Sequence, residues 1–130
     1  MILIDTSAWI EFLRDTGSAA GDRVDAVLDG EIAVCDATRM EVLAGARDEW
    51  HLRSLRGLLA RAIVLPTGPA DYEEAASLYR LCRREGEAVR RLIDCLIASV
   101  AIRAGAAVLH RDRDFDVLAR HTALRIDLPG

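Results

Sequence analysis

A carboxylate set at the end of a buried strand constrains this chain more than any other feature. The opening residues, Met1-Ile2-Leu3-Ile4-Asp5-Thr6-Ser7, run three apolar side chains, two of them β-branched, straight into an acid and two hydroxyls. A short continuous apolar run suits a strand covered on both faces of a parallel sheet. The acid then falls at the strand's carboxyl end, where open α/β sheets place their ligand crevice. Two later segments repeat the design in part: Asp36 follows Ile32-Ala33-Val34-Cys35, and Asp112 follows Ala107-Val108-Leu109-His110-Arg111. Strand ends of this kind can gather carboxylates around a divalent metal.

Between the strands the spacing turns helical. Trp9, Ile10 and Leu13 recur at helical intervals with Phe12 beside them, and Gly17-Ser18 breaks the pattern. A second helix runs to about Leu28, with Val24, Val27 and Leu28 inward, and Asp29-Gly30 turns into the strand at Ile32–Cys35. A helix carrying Met40, Val42, Leu43 and Ala46 follows, then another over about 48–60, with Gly45 not ending the first decisively. Ile63-Val64-Leu65 forms a third strand stopped by Pro66, and a helix spans about 70–84. The clearest periodicity is Val89, Leu92, Ile93, Leu96, Ile97, Val100 and Ala101, with Gly105 where a C-terminal glycine stop belongs. A strand over 107–110, a short helix over about 114–120 and a strand over 124–126 complete the chain. Strands alternating with helices give an α/β three-layer domain with a mostly parallel sheet.

With 130 residues the chain is expected to form one domain, residues 1–130, able to bury roughly two thirds of its unfolded surface. A net charge of −4 argues against general adhesion to nucleic acid, although acids committed to a metal would distort that measure. All 17 basic residues are Arg, which fits a GC-rich coding bias and also supplies planar forks suited to phosphate. Cys35, Cys82 and Cys95 are an odd number without C-x-x-C spacing, as expected of reduced thiols in a cytoplasmic protein. No signal segment opens the chain, and the most apolar stretch, 92–109, is interrupted by Asp94 and Arg103, so no membrane span is expected.

Each acid also has a plain structural explanation. Asp5 could cap the following helix, or Ser7 could cap it and leave Asp5 facing the crevice. Thr38-x-x-Glu41 matches a capping box, in which the Glu turns back to the N-cap amide. Asp94 could pair with Arg90 on a solvated helix face, worth only about 0.3–0.5 kcal/mol. Aspartate is a poor helix-interior residue, however, and its place beside an apolar stripe suggests another use. Asp112, Asp114 and Asp116 could complement a helix dipole, the preferred reading for Asp116; Asp114 could cap the short helix or help a second metal. His110 reads as a strand-end residue, no Ser-His-Asp order is evident, and the glycines form no phosphate loop. What lifts the acids above these readings is joint placement: one after strand one, one after strand two, one on the helix before strand four, one after it.

The segments Ile2-Leu3-Ile4-Asp5-Thr6-Ser7, Met40-Glu41-Val42-Leu43-Ala44-Gly45, Asp94-Cys95-Leu96-Ile97-Ala98-Ser99-Val100-Ala101 and His110-Arg111-Asp112-Arg113-Asp114-Phe115 together resemble the PIN domain. More narrowly the chain resembles the VapC ribonuclease toxins of type II toxin–antitoxin pairs, nearly end to end. The resemblance implies a five-stranded parallel sheet in the order 3-2-1-4-5, with Asp5 at the point where the winding reverses. It implies that Asp5, Glu41, Asp94 and Asp112 form the catalytic, metal-binding set, with Asp114 as a further contributor and Ser7 holding Asp5. His110 departs from the family, where Thr is more usual before the basic-acidic pair. The resemblance further implies Mg²⁺ or Mn²⁺, an RNA substrate cut by an activated water to leave 5′-phosphate and 3′-hydroxyl ends, a homodimer, and a VapB-type antitoxin.

Because an acidic crevice repels phosphate, flanking arginines must guide the strand; Arg39, Arg111 and Arg113 are the candidates. Trp9, Phe12 and Trp50 offer apolar partner surfaces, with core packing the competing explanation for Trp9. Three rival readings remain: another metal-dependent phosphohydrolase on a related sheet, a catalytically inactive PIN-like binding module, and a plain scaffold or oligomerisation domain. A phosphatase with an aspartyl nucleophile would favour Asp-x-Asp at strand one, but position 7 is Ser. A catalytically inactive PIN-like binding module would not need intact acids.

Overall fold

In a computed structural model, which describes residues 1–127, five strands form one parallel sheet in the order β3-β2-β1-β4-β5. The strands are β1 (Ile2–Ile4), β2 (Ile32–Cys35), β3 (Ile63–Leu65), β4 (Ala107–Leu109) and β5 (Arg125–Ile126). The helices between them are α1 (Thr6–Leu13), α2 (Ala19–Val27), α3 (Asp36–Ala44), α4 (Glu49–Leu59), α5 (Pro69–Arg84), α6 (Leu92–Ala104) and α7 (Arg113–His121). Strand order and direction agree with the expectation from sequence. The last three residues of the expected domain lie outside the described residues.

Alternate residues along each strand feed opposite faces, which makes the three layers. Leu3, Ala33, Cys35, Leu65 and Val108 pack with Leu78, Cys82, Ile97, Ala101, Phe115 and Leu118 of α5, α6 and α7. Ile4, Ile32, Val34 and Leu109 pack on the other side with Trp9, Val24, Val42, Leu55 and Leu59 of α1 to α4. β1 lies between β2 and β4, with Ile2 opposite both Ile32 and Ala107. Its winding partners therefore lie on opposite sides, and the crevice opens at its carboxyl end. The Asp5 amide extends the β1–β4 pairing by one bond, donating to the Leu109 carbonyl at 2.9 Å. Asp5 is thereby fixed beside the end of β4.

Two local expectations change. α3 starts earlier than a Thr38–Glu41 box requires: Cys35 is the N-cap, and the Thr38 hydroxyl turns back to accept its amide at 3.0 Å. Glu41 is thus left free of the helix end. α6 begins at Leu92, so Val89 is buried but belongs to the preceding loop. Arg90 lies outside the helix as well, which removes the proposed pair between Arg90 and Asp94. α6 ends as expected, with Gly105 left-handed at φ +69°.

Candidate metal centre

Asp5 terminates β1 and caps α1 at once. Its Oδ2 accepts from the Ser7 amide at 3.0 Å and from the Ser7 hydroxyl at 2.6 Å. The cap is therefore Asp5, not Ser7, since the extended backbone at Asp5 aims its carboxylate at the first helical turn. Its Oδ1 is buried and has no hydrogen-bond partner. Ser7 in turn accepts from the Arg111 amide at 2.9 Å, tying the start of α1 to the segment after β4.

Glu41 reaches the same end of the sheet from α3. Its Oε1 accepts from the Thr6 hydroxyl at 3.0 Å, and its Oε2 is ion-paired with Arg91. Asp94 sits in the first turn of α6, 1% exposed, with Oδ2 buried and unpartnered. Asp112 caps α7: its Oδ1 accepts from the Asp114 amide at 2.9 Å and from Arg90 at 3.0 Å. Its own amide donates to His110 Nδ1 at 3.0 Å, so the histidine holds the turn that presents Asp112. Since Asp112 is the cap, Asp114 does not cap α7. Asp114 instead accepts the backbone amides of Arg90 and Arg91, each at 3.0 Å, and pins the loop before α6.

Carboxylate oxygens of Asp94, Asp112 and Asp114 lie within 4.8 Å of one another. The electrostatics tie in the rest. Burial raises the Asp5 pKa above the usual aspartate range, and the negative charges of Glu41 and Asp112 add to it. Asp94 is pushed up to about 8 by burial, then by its hydrogen bond to Asp114 and the charges of Asp5 and Asp112. Burial also works against the Asp114 carboxylate, but hydrogen bonds from Asp94 and from the Arg90 and Arg91 amides outweigh it and hold its pKa low.

Asp94, Asp112 and Asp114 thus form one cluster, and Asp5 is close enough to feel the charges of both Glu41 and Asp112. The candidate arginines stand at varied positions around them. Arg111 is ion-paired with Glu11, Arg39 is half-buried on α3, and Arg113 is exposed on α7. Arg90 and Arg91, which contact the acids directly, were not among the candidates; nor was Thr6. Thr6 adjoins the opening acid and was open to inference, whereas the role of Arg90 and Arg91 depends on where a loop is pinned.

Buried carboxylate oxygens without a donor are unusual, because each carries an uncompensated desolvation cost. Asp5 Oδ1 and Asp94 Oδ2 are both in that condition, and a cation would relieve it. All-oxygen donors from aspartate and glutamate suit a hard divalent ion. The donor set fits a divalent metal.

A family model described as the PIN domain matches residues 2–121. Ribonuclease VapC11 of Mycobacterium tuberculosis is 49% identical over 129 residues, spanning 96% of each chain. The chain belongs to the VapC family of PIN-domain proteins. VapBC2 of Rickettsia felis, solved bound to a promoter DNA fragment, aligns with a TM-score of 0.77 at 18% identity, covering 98% of each chain. VapBC-1 of nontypeable Haemophilus influenzae aligns with a TM-score of 0.76 at 20% identity, covering 99% of this chain and 98% of that one. These structures speak to the fold, and they agree on a PIN sheet. No helix among the described residues of this PIN-domain protein is long and apolar enough to cross a membrane.

Proposed function

We propose that the protein is the ribonuclease toxin of a type II toxin–antitoxin pair, a metal-dependent endonuclease that hydrolyses RNA phosphodiester bonds in the cytoplasm. The observation that carries this reading is the convergence of Asp5, Glu41, Asp94, Asp112 and Asp114 with two orphaned carboxylate oxygens among them. The 49% identity to a VapC ribonuclease supports the same chemistry.

Asp5 and Asp94 would be the principal ligands of Mg²⁺ or Mn²⁺, with Asp112, Asp114 and Glu41 binding directly or through water. When bound, such an ion lowers the pKa of a coordinated water and polarises a phosphoryl oxygen. Ser7 keeps Asp5 Oδ2 turned toward the helix, which leaves Oδ1 as the oxygen without a protein donor. Glu41 and Asp112, which come from the β2 and β4 sides, would accept hydrogen bonds from the attacking water and orient it. The expected products carry 5′-phosphate and 3′-hydroxyl ends. A homodimer and inhibition by a VapB-type antitoxin complete the proposal; an antitoxin segment entering the crevice would present Arg or Lys to it.

The deciding experiment is cleavage of total cellular RNA with Mg²⁺ or Mn²⁺, followed by mapping of the new ends. Asp5→Asn and Asp94→Asn, each shown to be folded, should abolish cleavage. Wild-type cutting by either variant would refute the assignment.

A further inference from the structure

The crevice has a problem that its carboxylates cannot solve: five acids repel the RNA phosphate they are meant to cut. We propose that Arg90 and Arg91 form a phosphate-binding bracket over the crevice, receiving the RNA backbone on either side of the acids. The inference rests on the ribonuclease reading above and adds the residues that bring the substrate's anion to it.

The bracket is built by one carboxylate. Asp114, 1% exposed, accepts the amides of both arginines and so fixes the two backbone positions immediately before α6. From there the side chains diverge. Arg90 crosses to Asp112 at 3.0 Å and to Asp114 at 3.4 Å, on the β4 side. Arg91 crosses to Glu41, which comes from beyond β2. Asp5 feels the charges of both Glu41 and Asp112, and Asp94 feels those of Asp5, Asp112 and Arg91.

Exposure then decides which charge an approaching strand meets. The Arg90 side chain is 61% exposed over an Asp112 side chain at 13%. The Arg91 side chain is 51% exposed over a Glu41 side chain at 19%. The cations face solvent and the anions lie beneath them. A guanidinium carries five N–H donors in a fork that matches phosphate. Arg91 commits one terminal nitrogen to Glu41, and Arg90 commits Nε and one terminal nitrogen to the acids, leaving donors on both for a ligand.

The test is binding of a fluorescein-labelled single-stranded RNA to the full-length protein in EDTA, titrated over a range of salt. Each phosphate contact on a single strand contributes about 0.7 to the slope of log affinity against log salt. Arg90→Ala/Arg91→Ala should flatten the slope by ~1.4 and weaken binding at least tenfold. Arg53→Ala, which removes an exposed charge on α4, should leave the slope unchanged. Arg90→Lys/Arg91→Lys should keep the slope while binding several-fold more weakly, which guards against a folding defect in the alanine pair.

Mn²⁺ binding followed by electron paramagnetic resonance supplies a readout of opposite sign. Arg91→Ala should tighten Mn²⁺ several-fold, because a cation beside the acids has been removed. A general structural defect would weaken metal and RNA together. A wild-type salt slope in the alanine pair, or an equal loss in Arg53→Ala, overturns the bracket and leaves the ribonuclease reading standing. Wild-type cleavage by Asp5→Asn would instead strike that reading.

Discussion

Asp94 and Asp114 face each other across the crevice, and the chain has provided for the charge of only one of them. Asp114 receives two backbone amides at 3.0 Å each, while Asp94 Oδ2 is buried without any donor. Burial pushes Asp94 up to about 8, whereas hydrogen bonds from Asp94 and the two amides overcome the burial of Asp114 and hold its pKa low.

The first expectation concerns stability against pH in metal-free protein. In the folded protein Asp94 is pushed up to about 8, from an ordinary value of 3.8. Between those values the folded state holds a proton that the unfolded chain has released, so stability falls as pH rises through the window and levels off above it. Asp94→Asn removes this contribution. In EDTA, the melting temperature of the variant minus that of the wild type should increase from pH 5 to pH 8. Saturating Mg²⁺ at pH 8 should reverse the order, since a ligand at a hundred times its Kd stabilises by ~2.7 kcal/mol and the variant has lost a principal ligand.

Asp114 should behave in the opposite way. Asp114→Ala leaves two loop amides without their acceptor and frees Arg90 from one partner, for a loss of ~3 kcal/mol at neutral pH. Because its pKa is held low, that stabilisation persists until pH falls below the usual aspartate range. A carboxylate serving only as a metal ligand would give a neutral or stabilising change on removal in EDTA. Urea denaturation at pH 7 without metal separates the two cases.

Periodicity placed the strands and helices along the chain, but the order of the strands came from the resemblance to the PIN domain, since no local pattern fixes which strand pairs with which. The clustering of Asp94, Asp112 and Asp114 was legible from their joint placement around strand four. Capping was harder to read. Thr38-x-x-Glu41 satisfied the box motif, yet Cys35, with no conventional capping side chain, became the N-cap because β2 ends there and Thr38 can turn back to it. Arg90 stood at helical spacing from Asp94, but the pull of Asp114 on two successive amides delays the helix to Leu92. That contact joins residues 24 positions apart in the chain, beyond the reach of any local pattern.

Ser7 makes a third test. Its hydroxyl donates to Asp5 and accepts from the Arg111 amide, so Ser7→Ala releases both the acid and the segment after β4. Stability should drop by ~1–2 kcal/mol. Metal affinity or cleavage should fall roughly 10–100-fold, the usual cost of losing a group that orients a ligand. Ser7→Thr keeps the hydroxyl and should recover most of the activity; an alanine variant with wild-type metal affinity would show that Asp5 holds its orientation unaided.

The two tryptophans divide core from partner surface. Trp9 is fully buried among Ile4, Val24, Val42 and Leu55, edge-on to Phe12 with ring centroids 6.4 Å apart. Trp9→Ala should cost ~3–5 kcal/mol. Trp9→Phe should cost far less, because the indole Nε1 is buried without a partner and its removal breaks no hydrogen bond. Trp50, by contrast, is 68% exposed on α4. Trp50→Ala should shift stability by no more than ~0.5 kcal/mol. If the antitoxin uses this face, the same change should weaken its binding tenfold or more, as expected for an aromatic anchor. Calorimetric titration with a VapB-type antitoxin that binds the wild-type protein, alongside a melting curve, measures both; unchanged affinity would place the antitoxin elsewhere.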